Sequence, residues 1–196
     1  NELDTMFAKG YMEPKSPPSN FVPNDPITRG EFITLLVKLY ADVYPLNYKG
    51  DPTFSDVFWN NSASTAGMYD YRYIETAARA GIVRGTGGGR FNPGQTITRE
   101  DAAAMIARTA NLKLDTNETK VLNNLQKSFT DGAAVKYYQR SSVEAVTRAG
   151  LITGKPHSVV GNEKQTYYFD PLAPLTRADA AAIAIRILKN EKKIPK

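Results

Sequence analysis

An all-α fold built from three tandem helix-loop-helix repeats is what this sequence of 196 residues predicts. Three observations carry the prediction. The phrase T-R-x-E/D occurs three times, as Thr28-Arg29-Gly30-Glu31, Thr98-Arg99-Glu100-Asp101 and Thr176-Arg177-Ala178-Asp179. Each copy follows the Phe of a Phe-x-Pro by seven residues (Phe21, Phe91 and Phe169), and recurrence at a fixed offset marks copies of one structural unit. Each copy also opens an apolar stretch with helical spacing.

The elements follow in order. A short helix ends at a glycine: Ile74–Gly81 and Val143–Gly150 align, and Leu3–Gly10 is a weaker third copy. Glycine just past a helix supplies the left-handed cap residue. Two apolar residues, an extended loop and Phe-x-Pro come next, then the capped helix. Thr followed three residues later by Glu or Asp has capping-box spacing. Glu31 fits it best, while the shorter Asp101 and Asp179 are expected to act more weakly. Helical stripes follow at Phe32, Leu35, Leu36 and Leu39, at Ala102, Met105, Ile106 and Thr109, and at Ala180, Ile183, Ala184, Ile187 and Leu188. The runs Ala102–Ala104 and Ala180–Ala182 allow close helix approach, so these three helices are expected to form a central bundle.

An F-[ST]-D entry, Phe54-Ser55-Asp56 or Phe129-Thr130-Asp131, opens the second and third repeats, and the first lacks it. The repeats are therefore set at 1–53, 54–128 and 129–190, with a charged, solvated tail at 191–196, together forming one compact domain. The caps lie 70 and then 78 residues apart, and the excess is assigned to insertions at 60–68, 111–126 and 156–166. The middle insertion is expected to be helical around Glu118–Leu125.

The arginine of the phrase needs its own account. It falls on the first helical position, where a cation meets the positive end of the helix dipole. Free N–H groups at a helix tip attract anions, and a guanidinium beside them adds a forked donor suited to a carboxylate. Arg29, Arg99 and Arg177 are thus three candidate anion sites. The alternative is that each pairs with a nearby Asp or Glu and braces the fold. The residues alone leave both readings open.

Composition narrows the chemistry. Cysteine is absent, which removes disulfides and thiolates. The net charge of +5 favours acidic partners without naming them. No run is long and apolar enough to span a bilayer, and the start at Asn-Glu-Leu-Asp reads as a processed or trimmed segment. The only histidine, His157, falls in an insertion and is expected to be a solvated loop residue, so neither a metal site nor a Ser-His-Asp triad is expected. Gly85-Thr86-Gly87-Gly88-Gly89-Arg90 lacks the Lys-Ser/Thr of a phosphate loop and reads as a flexible turn. No enzyme activity and no cofactor are expected.

The succession of F-[ST]-D, glycine-ended helix, Phe-x-Pro and T-R-x-E/D resembles the S-layer homology domain, with three tandem motifs over nearly the whole chain. The resemblance implies a pseudo-threefold arrangement around a central three-helix bundle. It implies a secreted, cell-surface location and non-covalent anchoring to a secondary cell-wall polymer, often one ending in pyruvylated N-acetylmannosamine (ManNAc). The family's functional arginine carries over to Arg29, Arg99 and Arg177, which tips the balance toward the anion reading. Further candidate contacts are Asp56, Asp131, Trp59, Tyr69 and Tyr138, with Gly85 and Gly154 in the loop after the glycine-ended helix. Core packing competes for the aromatics, and a turn or cap role competes for the two aspartates.

Departures from the family pattern bear on the grooves. Tyr69 and Tyr138 stand five residues before Ile74 and Val143, where Trp is usual. Gly10-Tyr11-Met12-Glu13-Pro14 lacks the second glycine, so the groove using that loop is a candidate for silence. Glu100 beside Arg99 is placed to pair with it. The partners expected are the polymer and, through regions outside this chain, other surface-layer subunits, with no nucleic acid and no membrane insertion. The rival readings are a scaffold that has lost polymer binding and a nucleic-acid binder using basic helix starts.

Overall fold

A computed structural model describes residues 2–13, 21–46, 50–58, 69–161 and 163–193. Among these the chain is mostly helical. The α-helices are α1 (Glu2–Ala8), α2 (Arg29–Leu39), α3 (Tyr71–Arg79), α4 (Arg99–Thr109), α5 (Glu118–Ser128), α6 (Arg140–Arg148) and α7 (Arg177–Asn190). One antiparallel pair, β1 (Lys155–Pro156) and β2 (Tyr167–Tyr168), closes the third insertion into a hairpin with Lys155 opposite Tyr168.

The helix ends form as the residues dictate. α2, α4 and α7 begin at the three arginines, each with the preceding Thr hydroxyl accepting from the third backbone N–H. Thr28 and Glu31 close a full capping box at 3.2 and 3.1 Å. Thr176 and Asp179 close one equally well, at 3.1 and 3.2 Å, despite the shorter side chain. Asp101 does not close its box; its Oδ1 accepts from Gln139 Nε2 at 2.8 Å instead. At the other end, α1, α3 and α6 stop alike. Gly10, Gly81 and Gly150 take φ of 67, 72 and 69°. The next residue's N–H returns to a carbonyl in the last turn: Tyr11 to Met6, Ile82 to Ala77 and Leu151 to Val146, all at 2.9 Å. The weaker first copy of this element is therefore a true copy.

The chain divides into two compact units. The first, residues 1–97 and 174–196, holds α1, α2, α3 and α7, and α2 packs against both α3 and α7. Phe32, Ile33, Leu36 and Leu39 of α2 are fully buried with Ile74, Ile82 and Ile187. Within this unit the residues just before the three caps are joined in a ring. Ile27 N–H donates to Leu175 at 2.9 Å, Leu175 to Ile97 at 2.8 Å and Ile97 to Ile27 at 3.2 Å. The second unit, residues 98–173, packs α4 and α5 against α6, and Ala102, Ala103 and Ile106 are fully buried.

Two sequence expectations gain detail here. Within the tail, Lys193 Nζ donates to Leu39 O at 2.8 Å and meets Asp42 at 3.1 Å, capping the end of α2. His157 is exposed but anchored: its Nε2 bonds Thr130 Oγ1 at 2.9 Å and its ring lies 4.7 Å from that of Tyr168.

Glu75 gives the first unit an acid-sensitive tie. Its carboxylate accepts from Thr53 N–H and Thr53 Oγ1, both at 2.7 Å, and from Arg79 Nε at 2.8 Å. Burial works against its charge, but these donors win and hold the carboxyl below its usual range. A depressed pKa in the folded state adds stability above the unfolded value and loses it as pH falls through the folded value. Urea unfolding of wild type should therefore weaken between about pH 5 and pH 2 with a slope that Glu75→Gln reduces. Identical slopes would exclude Glu75 as a source of the acid sensitivity.

Candidate functional site

The three arginine-capped helices dock their tips into the Phe-x-Pro loops in one repeated register. The N–H of Arg29 donates to Gln95 O and that of Gly30 to Pro93 O, at 2.8 and 2.9 Å. Arg99 and Glu100 repeat this with Ala173 and Pro171, both at 3.0 Å, and Arg177 and Ala178 with Asp25 and Pro23, at 2.8 and 2.9 Å. With the third N–H taken by the cap Thr, the first-turn donors are spent on the protein itself. The expectation that these tips offer open N–H groups to an anion is thus overturned.

The guanidiniums follow the same pattern. Arg29 Nε donates to Phe91 O at 3.0 Å and Nη2 to Arg84 O at 3.4 Å. Arg99 reaches Phe169 O at 2.7 Å and Thr153 O at 2.9 Å. Arg177 reaches Phe21 O at 2.9 Å and Glu13 O at 2.6 Å. Each guanidinium also lies over the ring of that same Phe, at 4.8, 5.1 and 5.5 Å. Carbonyls and a π-face explain a cation at the positive helix end: local acceptors outweigh the dipole. All three arginines are buried. They brace the fold through main-chain oxygens.

The first repeat's divergent loop keeps its place in this scheme. Glu13, Arg84 and Thr153 each stand three residues after their turn glycine, and each gives its carbonyl to an arginine. Loss of the second glycine leaves that carbonyl intact.

Asp56 and Asp131 have a matching structural role. Asp56 Oδ1 and Oδ2 accept from the N–H groups of Phe91 and Asn92, at 2.9 and 2.8 Å. Asp131 accepts from Phe169 and Asp170, both at 2.7 Å. Each carboxylate thus pins the Phe-x-Pro loop that the arginine reads from the other side. Gly85 and Gly154 are required by crowding. A Cβ at Gly85 would stand 2.6 Å from Arg90 O, and one at Gly154 would stand 2.7 Å from the Phe129 ring. The Gly85–Arg90 run is a tight turn, with Arg90 N–H on Gly87 O at 3.1 Å and Thr86 N–H on Arg90 O at 2.8 Å. Glu100 pairs with Lys136 Nζ at 2.9 Å. Tyr69 is buried against Gly30 and Tyr138 is exposed. Trp59 lies outside the described residues.

One of these arginines borders an open cleft. A space of about 270 Å³ in the first unit is lined by Arg177, Lys38 and Arg72, by Tyr11 and Tyr73, and by the acids Glu13, Glu31 and Asp70 among others. Burial pushes the Arg177 guanidinium below its ordinary pKa, opposed by the carboxylates of Glu31 and Asp25. Lys38 Nζ donates to Gly10 O at 2.8 Å and lies 5.6 Å from the Tyr73 ring. Arg72 pairs with Asp70 through Nε at 3.0 Å and remains largely exposed. Cations beside tyrosine faces suit a carboxylate carried on a sugar ring. The sequence reading missed Lys38, Arg72, Tyr73 and Tyr11. Lys38 had a signal, being a charge inside the apolar run Leu35-Leu36-Val37-Lys38-Leu39. The other three belong to the cleft only through tertiary placement.

Among the described residues no helix is long and apolar enough to cross a membrane, and no cluster of acids and histidine is arranged to hold a metal ion.

Comparison with known proteins agrees with the repeat pattern. The signature of the S-layer homology domain matches residues 3–33, 63–103 and 128–181. The chain is 29% identical over 176 residues to an amylopullulanase of Thermoanaerobacterium thermosulfurigenes, covering 90% of this chain and 8% of that protein. It is 28% identical over 177 residues to the surface-layer 125 kDa protein of Lysinibacillus sphaericus, covering 90% and 13%. It is 30% identical over 161 residues to the S-layer protein sap of Bacillus anthracis, covering 82% and 17%. The chain thus spans a small part of the length of each of these relatives. With three signature matches over most of its length, the chain belongs to the S-layer homology domain family, whose members anchor surface proteins to the cell wall at the bacterial cell surface.

Proposed function

We propose that the chain anchors by binding an acidic secondary cell-wall polysaccharide, with a pyruvylated ManNAc end group seated in the cleft of Arg177. The observation that carries this reading is the convergence of Arg177, Lys38 and Arg72 on one cleft beside Tyr11 and Tyr73. A pyruvate ketal presents one carboxylate on a pyranose. Lys38 and Arg72 steer and pair with that carboxylate, buried Arg177 supplies positive potential at the wall, and the tyrosines take the ring. Arg29 and Arg99, held in the same register, are assigned equivalent roles at the other repeats. The cyclic pattern, in which each repeat's arginine grips the loop of the next, supports the pseudo-threefold arrangement implied by the resemblance.

The test avoids the buried braces. Lys38→Glu with Arg72→Glu should weaken binding to purified polymer at least about tenfold, because charge reversal converts attraction to repulsion, and a thermal melt checks that the double variant is folded at the assay temperature. Co-sedimentation with walls, before and after chemical removal of the polymer, reads the same loss. Undiminished binding by the double variant would assign anchoring to another surface. Equal sedimentation with stripped walls would favour a scaffold role.

A further inference from the structure

Tyr69 and Tyr138 occupy equivalent positions ahead of α3 and α6, yet Tyr69 is 7% exposed and Tyr138 is 71% exposed. The cause lies on the capped helix. Gly30 is the second residue of α2, and a Cβ there would stand 2.7 Å from the Tyr69 ring. Tyr69 packs inward only because that side chain is missing. At the equivalent position α4 carries Glu100, fully buried and held by the Lys136 side chain at 2.9 Å and the Lys136 N–H at 3.1 Å. A side chain thus stands where α2 has none, and Tyr138 is exposed.

Outside, Tyr138 and the 59% exposed Tyr137 line a cleft of about 320 Å³ with Leu114, Glu118 and Ser141. It holds fewer cations than the cleft of Arg177. Arg140, the one basic residue lining it, directs Nε to Val135 O at 3.1 Å and Nη2 to Ala133 O at 3.3 Å. The nearby Lys120 is held on Asp115 at 2.7 Å. Two carboxylates, Asp115 and Glu118, border the space. Such a lining carries little net charge. It suits an uncharged pyranose, whose C–H face packs on a phenol ring and whose hydroxyls donate to a carboxylate.

We propose that this cleft binds a neutral sugar residue, with Tyr138 as the stacking platform and Glu118 as a hydroxyl acceptor. The inference does not rest on acidic-glycan binding at Arg177, which belongs to the other compact unit. Neutral residues inside the wall polymer and neutral residues of the peptidoglycan strand share this chemistry.

Titration with chitotetraose, a neutral N-acetylhexosamine oligomer, tests it through the tyrosine ring signals in carbon–proton NMR spectra. Tyr137 and Tyr138 signals should shift in wild type. Tyr138→Trp keeps a π-face and should bind, whereas Tyr138→Ser should weaken binding about tenfold. Arg177→Lys should leave this titration unchanged, so failure of one reading is separable from failure of the other. Absence of ring shifts, or equal binding by Tyr138→Ser, overturns the proposal; thermal melts of the variants confirm that the fold is retained. Sedimentation then separates the sources. A loss with Tyr138→Ser on polymer freed of pyruvate assigns the polymer's internal sugars, a loss on peptidoglycan freed of polymer assigns the glycan strand, and loss on neither overturns the assignment.

Discussion

Arg177→Ala is expected to destabilise the first unit by about 3 kcal/mol, because it strips the donors from two carbonyls and removes a cation from an aromatic face. The carbonyls are those of Phe21 and Glu13, and the face is that of Phe21. Arg177→Lys keeps the charge but not the fork, so one carbonyl is left without its donor, and about half of that loss is expected. Chemical denaturation measures both. Polymer affinity should fall in the two variants, and the lysine variant is the informative one: its fold survives while the geometry of the cation changes. If Arg177→Ala unfolds no more easily than wild type, the carbonyl bracing has been misjudged.

The second large effect is expected at Asp131. Both carboxylate oxygens accept from consecutive backbone N–H groups, and Asp131→Ala leaves both donors unsatisfied at a cost of about 3 kcal/mol. Asp131→Asn retains one good acceptor and should recover roughly half. The same change bears on the ligand reading. A residue that touched glycan would lose affinity at constant stability, whereas a loop clamp loses stability first. Differential scanning calorimetry beside a binding isotherm separates the two, and a lowered affinity at unchanged melting temperature would return Asp131 to the site.

The capped helices and glycine stops were legible because their causes are local. Thr hydroxyls, a carboxylate three residues on and a glycine able to take positive φ act within a turn of themselves. α5 was legible for a similar reason, with Asn117 capping it by accepting from Lys120 N–H at 3.0 Å. The destinations of Arg29, Arg99 and Arg177 were not legible. Their acceptors are backbone oxygens, which every residue carries, so no side-chain pattern marks them. The two aspartates were ambiguous for the same reason, since their donors are main-chain N–H groups 35 to 39 residues away. Of the cleft, the sequence reading named Arg177 and missed Lys38, although the charge of Lys38 interrupts an apolar run.

By itself the sequence determined the three repeats, the helix starts at the arginines and the family, since each follows from spacing and short-range chemistry. Only the tertiary structure decided what the arginines hold, which tyrosine is buried and where cations gather. A side chain's type states what it can donate or stack upon. Which acceptor it meets depends on loops brought from far along the chain, and on whether a neighbour such as Gly30 or Glu100 leaves room.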